Sequence, residues 1–194
     1  MARTETSYLE ADMFTSVALT FLSLGVAVGA VAGGVAHAPS AAPARSAPTV
    51  AAAPARGTFA IALDDPTGVL VEPVQGGKCE LTGASTLTFS GALAGSAHGT
   101  STVLIFAPCS EATVNPPGTY FDLFSFEGTF SGTVHGAAAT GTLSYSGVTR
   151  PGGDIDNALM KLRDGAWATL HADAGLDPER PGVFVGTYDG RAKH

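Results

Sequence analysis

The side chains best suited to metal or acid–base chemistry are a few histidines and carboxylates. His171 and Asp173 are two positions apart in AWATLHADAG, a spacing that puts both side chains on one face of a strand. They are either a pair of metal ligands, an imidazole–carboxylate pair, or the polar end of a strand. His98 and His135 lie in Gly-rich stretches, where a solvated turn residue is the simpler interpretation. No HExxH, CxxC or EF-hand spacing occurs, so we predict no metal site and no cofactor.

Asp122 is the carboxylate with the most unusual predicted surroundings. In TYFDLFSFEGTFSGTV (119–134) it falls in phase with Tyr120, Phe124 and Phe126. In that register the carboxylate points into an apolar interior, where it must be paired, hydrogen-bonded or protonated. Alternatively, it lies at a wet barrel mouth, or a bulge turns it outward. The candidate ligand-binding residues are Tyr120, Asp122, Phe124, Phe126, Phe130, Leu143, Tyr145, Trp167 and Tyr188, and no catalytic residue is predicted.

Several functional classes find no support in the sequence. There is no G-x-S-x-G nucleophile elbow, no phosphate-binding loop and no dinucleotide fingerprint. The formal net charge is −7 and the 10 Lys and Arg residues are scattered. Because nucleic-acid binding needs clustered basic residues, we predict no nucleic-acid partner.

Alternating apolar and polar residues dominate the chain after Gly57. This period of two predicts strands with one buried face in 57–63, 86–93, 100–107, 119–134, 140–146, 166–172 and 182–188. Gly-rich turns separate the strands, as in an antiparallel meander. The exception is DIDNALMKLR (154–163), which fits either a short helix capped by Asp154 or a further strand.

A partial repeat suggests how these strands are arranged. TFSG occurs at 88–91 and again at 129–132, each time placing a Phe inward before a Gly. Gly91 and Gly132 permit bends, bulges or close strand approach, which suits the coiled strands of a closed barrel. The predicted fold class is all-β, a small antiparallel β-barrel of about eight strands.

The order of these motifs is familiar. TFSGALAGSAHGTS, FEGTFSGTVHGAAATGTLSYSG, AWATLHADAG and GVFVGTYDG resemble an uncharacterised bacterial family of small β-barrels. That family is similar to allene oxide cyclase and, more distantly, to dirigent proteins. The resemblance covers about 57–190 and implies an eight-stranded barrel without an established activity. No cyclase catalytic residue matches position by position.

The N-terminal region indicates export. Residues 14–35 contain no charge and precede Ala36-His37-Ala38, a small-x-small pattern that signal peptidase favours. The segment is also long enough to span a bilayer, so it is either a cleaved signal or an N-terminal anchor. We therefore predict a signal or anchor at 1–38, a disordered Ala/Pro linker at 39–56 and the barrel domain at 57–194. Membrane association is expected only through the first segment.

Cys79 and Cys109 are the only 2 cysteines. An even count in an exported chain predicts a structural disulfide, although two separate thiols are the alternative.

These features predict an exported, non-catalytic β-barrel module that binds a small apolar ligand or is filled by its own side chains. One alternative is an allene oxide cyclase-like isomerase acting on a lipid-like substrate, since conformational steering needs few charged groups. The other is a structural cell-surface protein that forms homo-oligomers.

Overall fold

The barrel domain is built almost entirely from antiparallel strands. The computed structural model describes residues 51–194, and the predictions for 1–38 and for 39–50 lie outside these residues. The strands are β1 (Ala53–Leu63), β2 (Leu70–Val74), β3 (Lys78–Gly91), β4 (Leu93–Ile105), β5 (Asp122–Val134), β6 (Ala137–Thr149), β7 (Ile155–Arg163), β8 (Trp167–Leu176) and β9 (Phe184–Lys193). A single helical turn, α1 (Cys109–Ala112), lies between β4 and β5.

The sheet closes on itself because β1 is paired along both of its edges. The strand order is β1-β9-β8-β7-β6-β5-β4-β3-β2, and β1 also pairs with β3 through residues 57–63 and 85–91. β2 pairs with the same edge of β3 further along, at residues 78–82. Eight strands therefore form a closed antiparallel barrel and β2 is one extra strand. The predicted barrel is confirmed.

Strict alternation fixes which residues enter the interior. On β5, Asp122, Phe126, Phe130 and Val134 are buried, whereas intervening residues such as Glu127 are exposed. Interior side chains come from all eight barrel strands, and those that are fully buried and largest are Tyr145, Tyr188, Phe126, Phe130, Leu87, Leu93, Leu143, Met160, Leu162 and Leu170. Both Phe residues of the TFSG repeat point inward as predicted, with Phe89 7% and Phe130 0% exposed.

The two ends of the barrel are built differently. At one end, called the turn end here, β3–β4, β5–β6 and β7–β8 are joined by short turns at 92, 135–136 and 164–166. At the other end, called the mouth, the connections are longer and comprise 64–77, 106–121, 150–154 and 177–183. The mouth is therefore the end whose loops are free to shape a site.

Inward-facing glycines make room for the aromatic rings. A Cβ on Gly128 would lie 2.6 Å from the ring of Phe126, and one on Gly147 would lie 2.9 Å from the ring of Phe124. Gly91 ends β3 with a φ of +110°, which only glycine adopts readily. Gly132, its counterpart in the repeat, instead pairs with Gly95 inside the β4–β5 ladder, because β5 continues to Val134. The repeat thus marks one turn and one close strand approach.

The predicted disulfide is present and ties α1 to the start of β3. Cys79 and Cys109 are bonded, with their Cα atoms 4.8 Å apart. Closing a loop with this sequence separation of 30 stabilises the native state by about 3–4 kcal/mol in the chain-entropy account. A disulfide in the folded domain indicates an oxidising, extracytoplasmic environment.

Three features of the structure change or complete the sequence-based expectation. Residues 53–56, assigned to the linker, belong to β1 and pair with β9; Pro54 is tolerated because this part of β1 has a partner on one side only. β2 was not predicted. The ambiguous segment 154–163 is strand β7, with bulges toward β6 and β8 that explain its weak alternation. Within residues 51–194, no helix is long and apolar enough to cross a membrane.

Candidate functional site

Most of the predicted ligand-binding residues share the barrel interior. Those that face inward are Asp122, Phe124, Phe126, Phe130, Leu143, Tyr145 and Tyr188. Phe124 is only half-buried and lies nearest to the mouth, whereas Phe130 and Leu143 are fully buried. The structure therefore brings seven of the nine candidates to one inner surface, and the other two lie elsewhere.

Trp167 and Tyr120 do not face the interior. Trp167 is 38% exposed on the outer face, because Ala166, Ala168 and Leu170 occupy the inward positions around it. Tyr120 precedes β5 and is not in register with Asp122. Both expectations of an inward side chain are wrong. Both residues are aromatic and were therefore expected in the core, but the backbone at these two positions directs their side chains elsewhere.

Tyr120 belongs instead to the loop around α1. Its hydroxyl donates to Glu111 Oε2 over 2.9 Å and accepts from Asn115 Nδ2 over 3.1 Å. The hydrogen bond to the Glu111 carboxylate raises the pKa of Tyr120, with smaller contributions from burial and from the charge of Glu111. These contacts order the exposed loop and leave Tyr120 outside any interior site.

The hydroxyl group of Tyr188 is hydrogen-bonded to backbone atoms at the turn end. The backbone N–H of Leu93 donates to its hydroxyl oxygen over 2.8 Å, and the hydroxyl lies 3.1 Å from the carbonyl oxygen of Leu93. The carbonyl oxygen of Ser90 is 3.2 Å away. Burial raises the pKa of Tyr188, and the hydrogen bond from Leu93 partly opposes the rise. The hydroxyl thus closes the β3–β4 turn and is not available to a ligand.

Aromatic rings follow one another through the interior. From the mouth inward, the ring centroids are separated by 4.8 Å for Phe124–Tyr145 and by 5.5 Å for Tyr145–Phe59. The series continues with 6.4 Å for Phe59–Phe89 and 5.9 Å for Phe89–Phe130. These are the separations at which aromatic pairs attract each other. The inner and turn-end parts of the barrel are filled, so space for a ligand has to be sought at the mouth.

Four inward polar atoms have no hydrogen-bond partner among the described residues. They are Ser85 Oγ, Ser101 Oγ, Asp122 Oδ1 and Tyr145 Oη, and their residues are called the inner polar cluster here. The cluster lies on four neighbouring strands, β3 to β6. Leaving a buried polar atom unpaired costs about 1–3 kcal/mol, so a hydrogen-bonding group of a ligand that reached one of these atoms would be stabilised there.

Asp122 is the only charged residue among the buried ones in the described part of the chain. It is 7% exposed and lies between Ile105 on β4 and Thr149 on β6. Burial raises its pKa to about 6, although hydrogen bonding to the hydroxyl and backbone of Thr149 opposes the rise. The carboxyl group therefore exchanges a proton near neutral pH and both donates and accepts hydrogen bonds within that range.

Tyr145 completes the cluster from β6. Its side chain is 1% exposed and packs between Phe59 and Phe124. Burial, with a smaller contribution from the charge of Asp173, raises the pKa of Tyr145 well above its usual range. The phenol therefore stays protonated and offers a hydrogen-bond donor inside an aromatic wall.

An incompletely covered apolar ring surrounds the mouth side of the interior. Ile61, Phe124, Ala174 and Phe184 are half-buried and pack against the core. They come from β1, β5, β8 and β9, and Ile61 pairs directly with Phe184. We call these four residues the mouth ring. Their remaining exposed apolar surface is the part of the interior that a ligand can cover without displacing the aromatic core.

The outer face carries two shallow depressions. One, of about 570 Å³, is lined by β1, β3 and β9 residues including Thr58, Ala60, Thr88 and Thr187, together with Arg180. The other, of about 410 Å³, lies over β4, β5 and β6 and is lined by hydroxyl side chains around Glu127. The second is bordered mainly by hydroxyl groups, whereas the first has hydroxyl and apolar residues side by side.

The histidines of residues 51–194 all lie outside the interior. His98 is exposed in the middle of β4, not in a bend, whereas His135 is in the β5–β6 turn as predicted, with a φ of 51°. His171 and Asp173 are both exposed on β8, and Asp173 accepts a hydrogen bond from the Asn157 backbone over 2.6 Å. Among residues 51–194, no group of three potential metal ligands occurs.

Ser85 and Ser101 were missed by sequence reasoning although a signal existed. Ser85 is in phase with the inward residues Leu87 and Phe89, and Ser101 is in phase with Ala97. Extending the alternation toward the mouth would have placed both inside. Serine is polar, and a prediction based on residue type alone assigns polar residues to the outer face of a strand.

No protein-family model, no curated protein and no solved structure matches the chain. The resemblance to allene oxide cyclase therefore stays a prediction.

Proposed function

We propose that this protein is an exported, non-catalytic binding module whose barrel mouth holds a small, largely apolar ligand. The observation that carries the proposal is Asp122, a buried carboxyl whose Oδ1 has no hydrogen-bond partner among residues 51–194 and which is two positions from Phe124 of the mouth ring on β5. A ligand with an apolar body and one hydrogen-bonding group would cover the mouth ring and pair with Asp122. The disulfide supports an extracytoplasmic location, either secreted or anchored through residues 14–35.

The chemistry of the mouth restricts the ligand. An anionic ligand is disfavoured because it would approach Asp122 at pH values where that carboxyl is ionised. The series of rings from Phe124 to Phe130 fills the deeper interior, so a ligand can reach only the mouth. The protein would therefore cover only part of a long-chain lipid. A compact neutral or amine-bearing molecule fits the apolar ring and the carboxyl group best.

The test is a fluorescence titration of the full chain with 1-aminoanthracene, a compact apolar amine. We expect saturable binding with one site and an affinity weaker by at least about 10-fold in Asp122→Asn, because a charge-assisted hydrogen bond contributes about 1.5 kcal/mol or more. Glu127→Gln is the matched control, since it removes a carboxylate from the outer face of the same strand. Equal affinity in both variants would place the probe away from the mouth.

A second candidate function is isomerisation of a lipid-like substrate at the same mouth. The specific observation in its favour is the pKa of Asp122, about 6, which suits general acid–base catalysis near neutral pH. Conversion of a labile epoxide faster than its spontaneous decay, lost in Asp122→Asn, would establish this activity. Equal rates with and without the protein would exclude this activity and leave ligand binding as the proposed function.

A third candidate is self-association through an apolar patch on the outer face near the mouth. Phe106, Phe121 and Leu123 are 42%, 39% and 42% exposed, and Lys78 Nζ lies 4.7 Å from the Phe106 ring centroid. Exposed aromatic residues grouped in this way are typical of contact surfaces. Light scattering of the wild type against Phe106→Ser with Phe121→Ser measures whether the patch holds an oligomer together.

A further inference from the structure

A hydrogen-bonded chain of four side chains runs along the outer face of the barrel, from Asp64 at the edge of the mouth to Ser96 on β4. Asp64 Oδ1 accepts from the Thr86 hydroxyl over 2.6 Å. Thr86 Oγ1 is 2.9 Å from His98 Nδ1, and His98 Nε2 is 3.1 Å from Ser96 Oγ. The chain therefore links a serine hydroxyl, an imidazole and a carboxylate in the order used by nucleophilic hydrolases, with a threonine inserted.

The registers of three strands build this arrangement. Thr86 on β3 lies directly opposite His98 on β4. Ser96 precedes His98 by two positions, so both side chains are on the outer face. Asp64 follows β1, where its backbone N–H donates to the carbonyl oxygen of Ala84 over 2.9 Å. That bond fixes the carboxylate beside Thr86. No single local motif contains the four residues, and this is why the sequence did not reveal them.

The donors and acceptors in the chain have a defined direction. An ionised carboxylate only accepts, so the single proton of the Thr86 hydroxyl is used on Asp64. Thr86 Oγ1 is then an acceptor, and His98 must carry its proton on Nδ1. In the neutral imidazole, His98 Nε2 is then the unprotonated acceptor, and the Ser96 hydroxyl donates to it. Asp64 thus selects the tautomer in which imidazole acts as a base toward Ser96.

We propose that Ser96 is a nucleophile, activated by His98, that is acylated by short, uncharged carboxylic esters. Ser96 Oγ bonds to the ester carbonyl carbon while its proton passes to His98 Nε2. The bond from carbon to the leaving oxygen then breaks, and that oxygen takes the proton and departs as an alcohol. Water attacks the acyl-serine, gives a proton to Nε2, and releases a carboxylic acid as Ser96 Oγ regains its proton.

The neighbourhood of Ser96 suits a small ester. Thr88 and Ser131 lie opposite Ser96 on the two adjacent strands, so both hydroxyl side chains are neighbours of Ser96 on the outer face. Thr88 also lines the depression of about 570 Å³ over β1, β3 and β9. That depression is shallow and has both hydroxyl and apolar residues along its edge, which suits a short acyl group. The proposal uses neither Asp122 nor any residue of the mouth ring and is independent of the ligand-binding function.

The experiment is covalent labelling of the full chain with a fluorophosphonate, followed by peptide mass spectrometry. We expect the label on Ser96, its complete loss in Ser96→Ala, and labelling slower by about 100-fold in His98→Asn, since general-base catalysis contributes at least that factor. His171→Asn is the matched control, because it removes an exposed imidazole on β8. Labelling spread over several serines, or unchanged labelling in His98→Asn, would overturn the proposal.

Two further measurements separate activation from structure. Hydrolysis of p-nitrophenyl acetate should fall in Ser96→Ala, which removes only one hydroxyl; an unchanged rate would mean that imidazole alone hydrolyses the ester and would refute nucleophilic Ser96. Asp64 is a positioning residue, so its readout is the tautomer of His98 in ¹⁵N spectra. The wild type should hold the proton on Nδ1, and Asp64→Asn should shift the population toward Nε2. An Nε2–H tautomer in the wild type would contradict the argument.

Discussion

Asp122 lies directly opposite Thr149 at the start of β5, and both side chains face the barrel interior with 7% and 2% exposure. Hydrogen bonding to Thr149 stabilises the ionised carboxylate, but burial disfavours it more strongly. An ionised acid in this position lowers the free energy of unfolding, and the size of that loss depends on pH.

Asp122→Asn should change the pH dependence of stability. The folded pKa of about 6 lies above the ordinary value of 3.8, so the contribution of Asp122 to stability is most favourable below about pH 4 and falls as pH rises from about 4 through 6. The shift corresponds to a loss of about 3 kcal/mol above pH 7. Urea unfolding should show that the variant gains by this amount, relative to wild type, between pH 4 and pH 7. A pH-independent difference for Asp122→Asn would refute burial of the acid.

Tyr188→Phe should destabilise the turn end. The substitution leaves the buried N–H of Leu93 without its hydroxyl partner, at a cost of about 1–3 kcal/mol in the free energy of unfolding. Tyr120→Phe is the control, because it removes hydroxyl contacts in an exposed loop and should cost under about 0.5 kcal/mol. Equal costs in urea unfolding would show that the Tyr188 hydroxyl does not hold the β3–β4 turn.

Gly132→Ala should be strongly destabilising. A Cβ at Gly132 would overlap the carbonyl oxygen of Ala94 on the neighbouring strand, so β4 and β5 would have to separate. We expect a loss of at least about 2 kcal/mol in thermal or urea unfolding. Gly175→Ala is the matched control, since its nearest atom beyond the chain neighbours, Asp154 Oδ1, would be 3.8 Å away. A tolerated Gly132→Ala would mean that the strands are further apart than described.

Removing the disulfide should weaken the whole domain. The double variant Cys79→Ala, Cys109→Ala loses the closed loop and should unfold with a free energy lower by about 3–4 kcal/mol. Reduction of the wild type with dithiothreitol should give a comparable loss, measured by denaturant unfolding. Identical unfolding curves before and after reduction would show that the bridge contributes nothing.

The fold was largely predictable because alternation is a local property of each strand. The period of two in 119–134 correctly gave the inward phase of β5, including Asp122, Phe126 and Phe130. Trp167 was misplaced because its neighbours are alanines, whose small apolar side chains define no clear phase. The chain from Asp64 to Ser96 was invisible because it depends on registers between β1, β3 and β4, which are long-range pairings.

The position of a bound ligand is the central claim, and titration of ¹⁵N-labelled full chain with 1-aminoanthracene in two-dimensional NMR spectra tests it most directly. We expect changes in amide chemical shift concentrated at the mouth ring and Asp122, with the signals of His171 and Thr142 on the outer face unchanged. Shifts confined to Phe106 and Phe121, or the absence of any saturable shift, would contradict a binding site at the mouth.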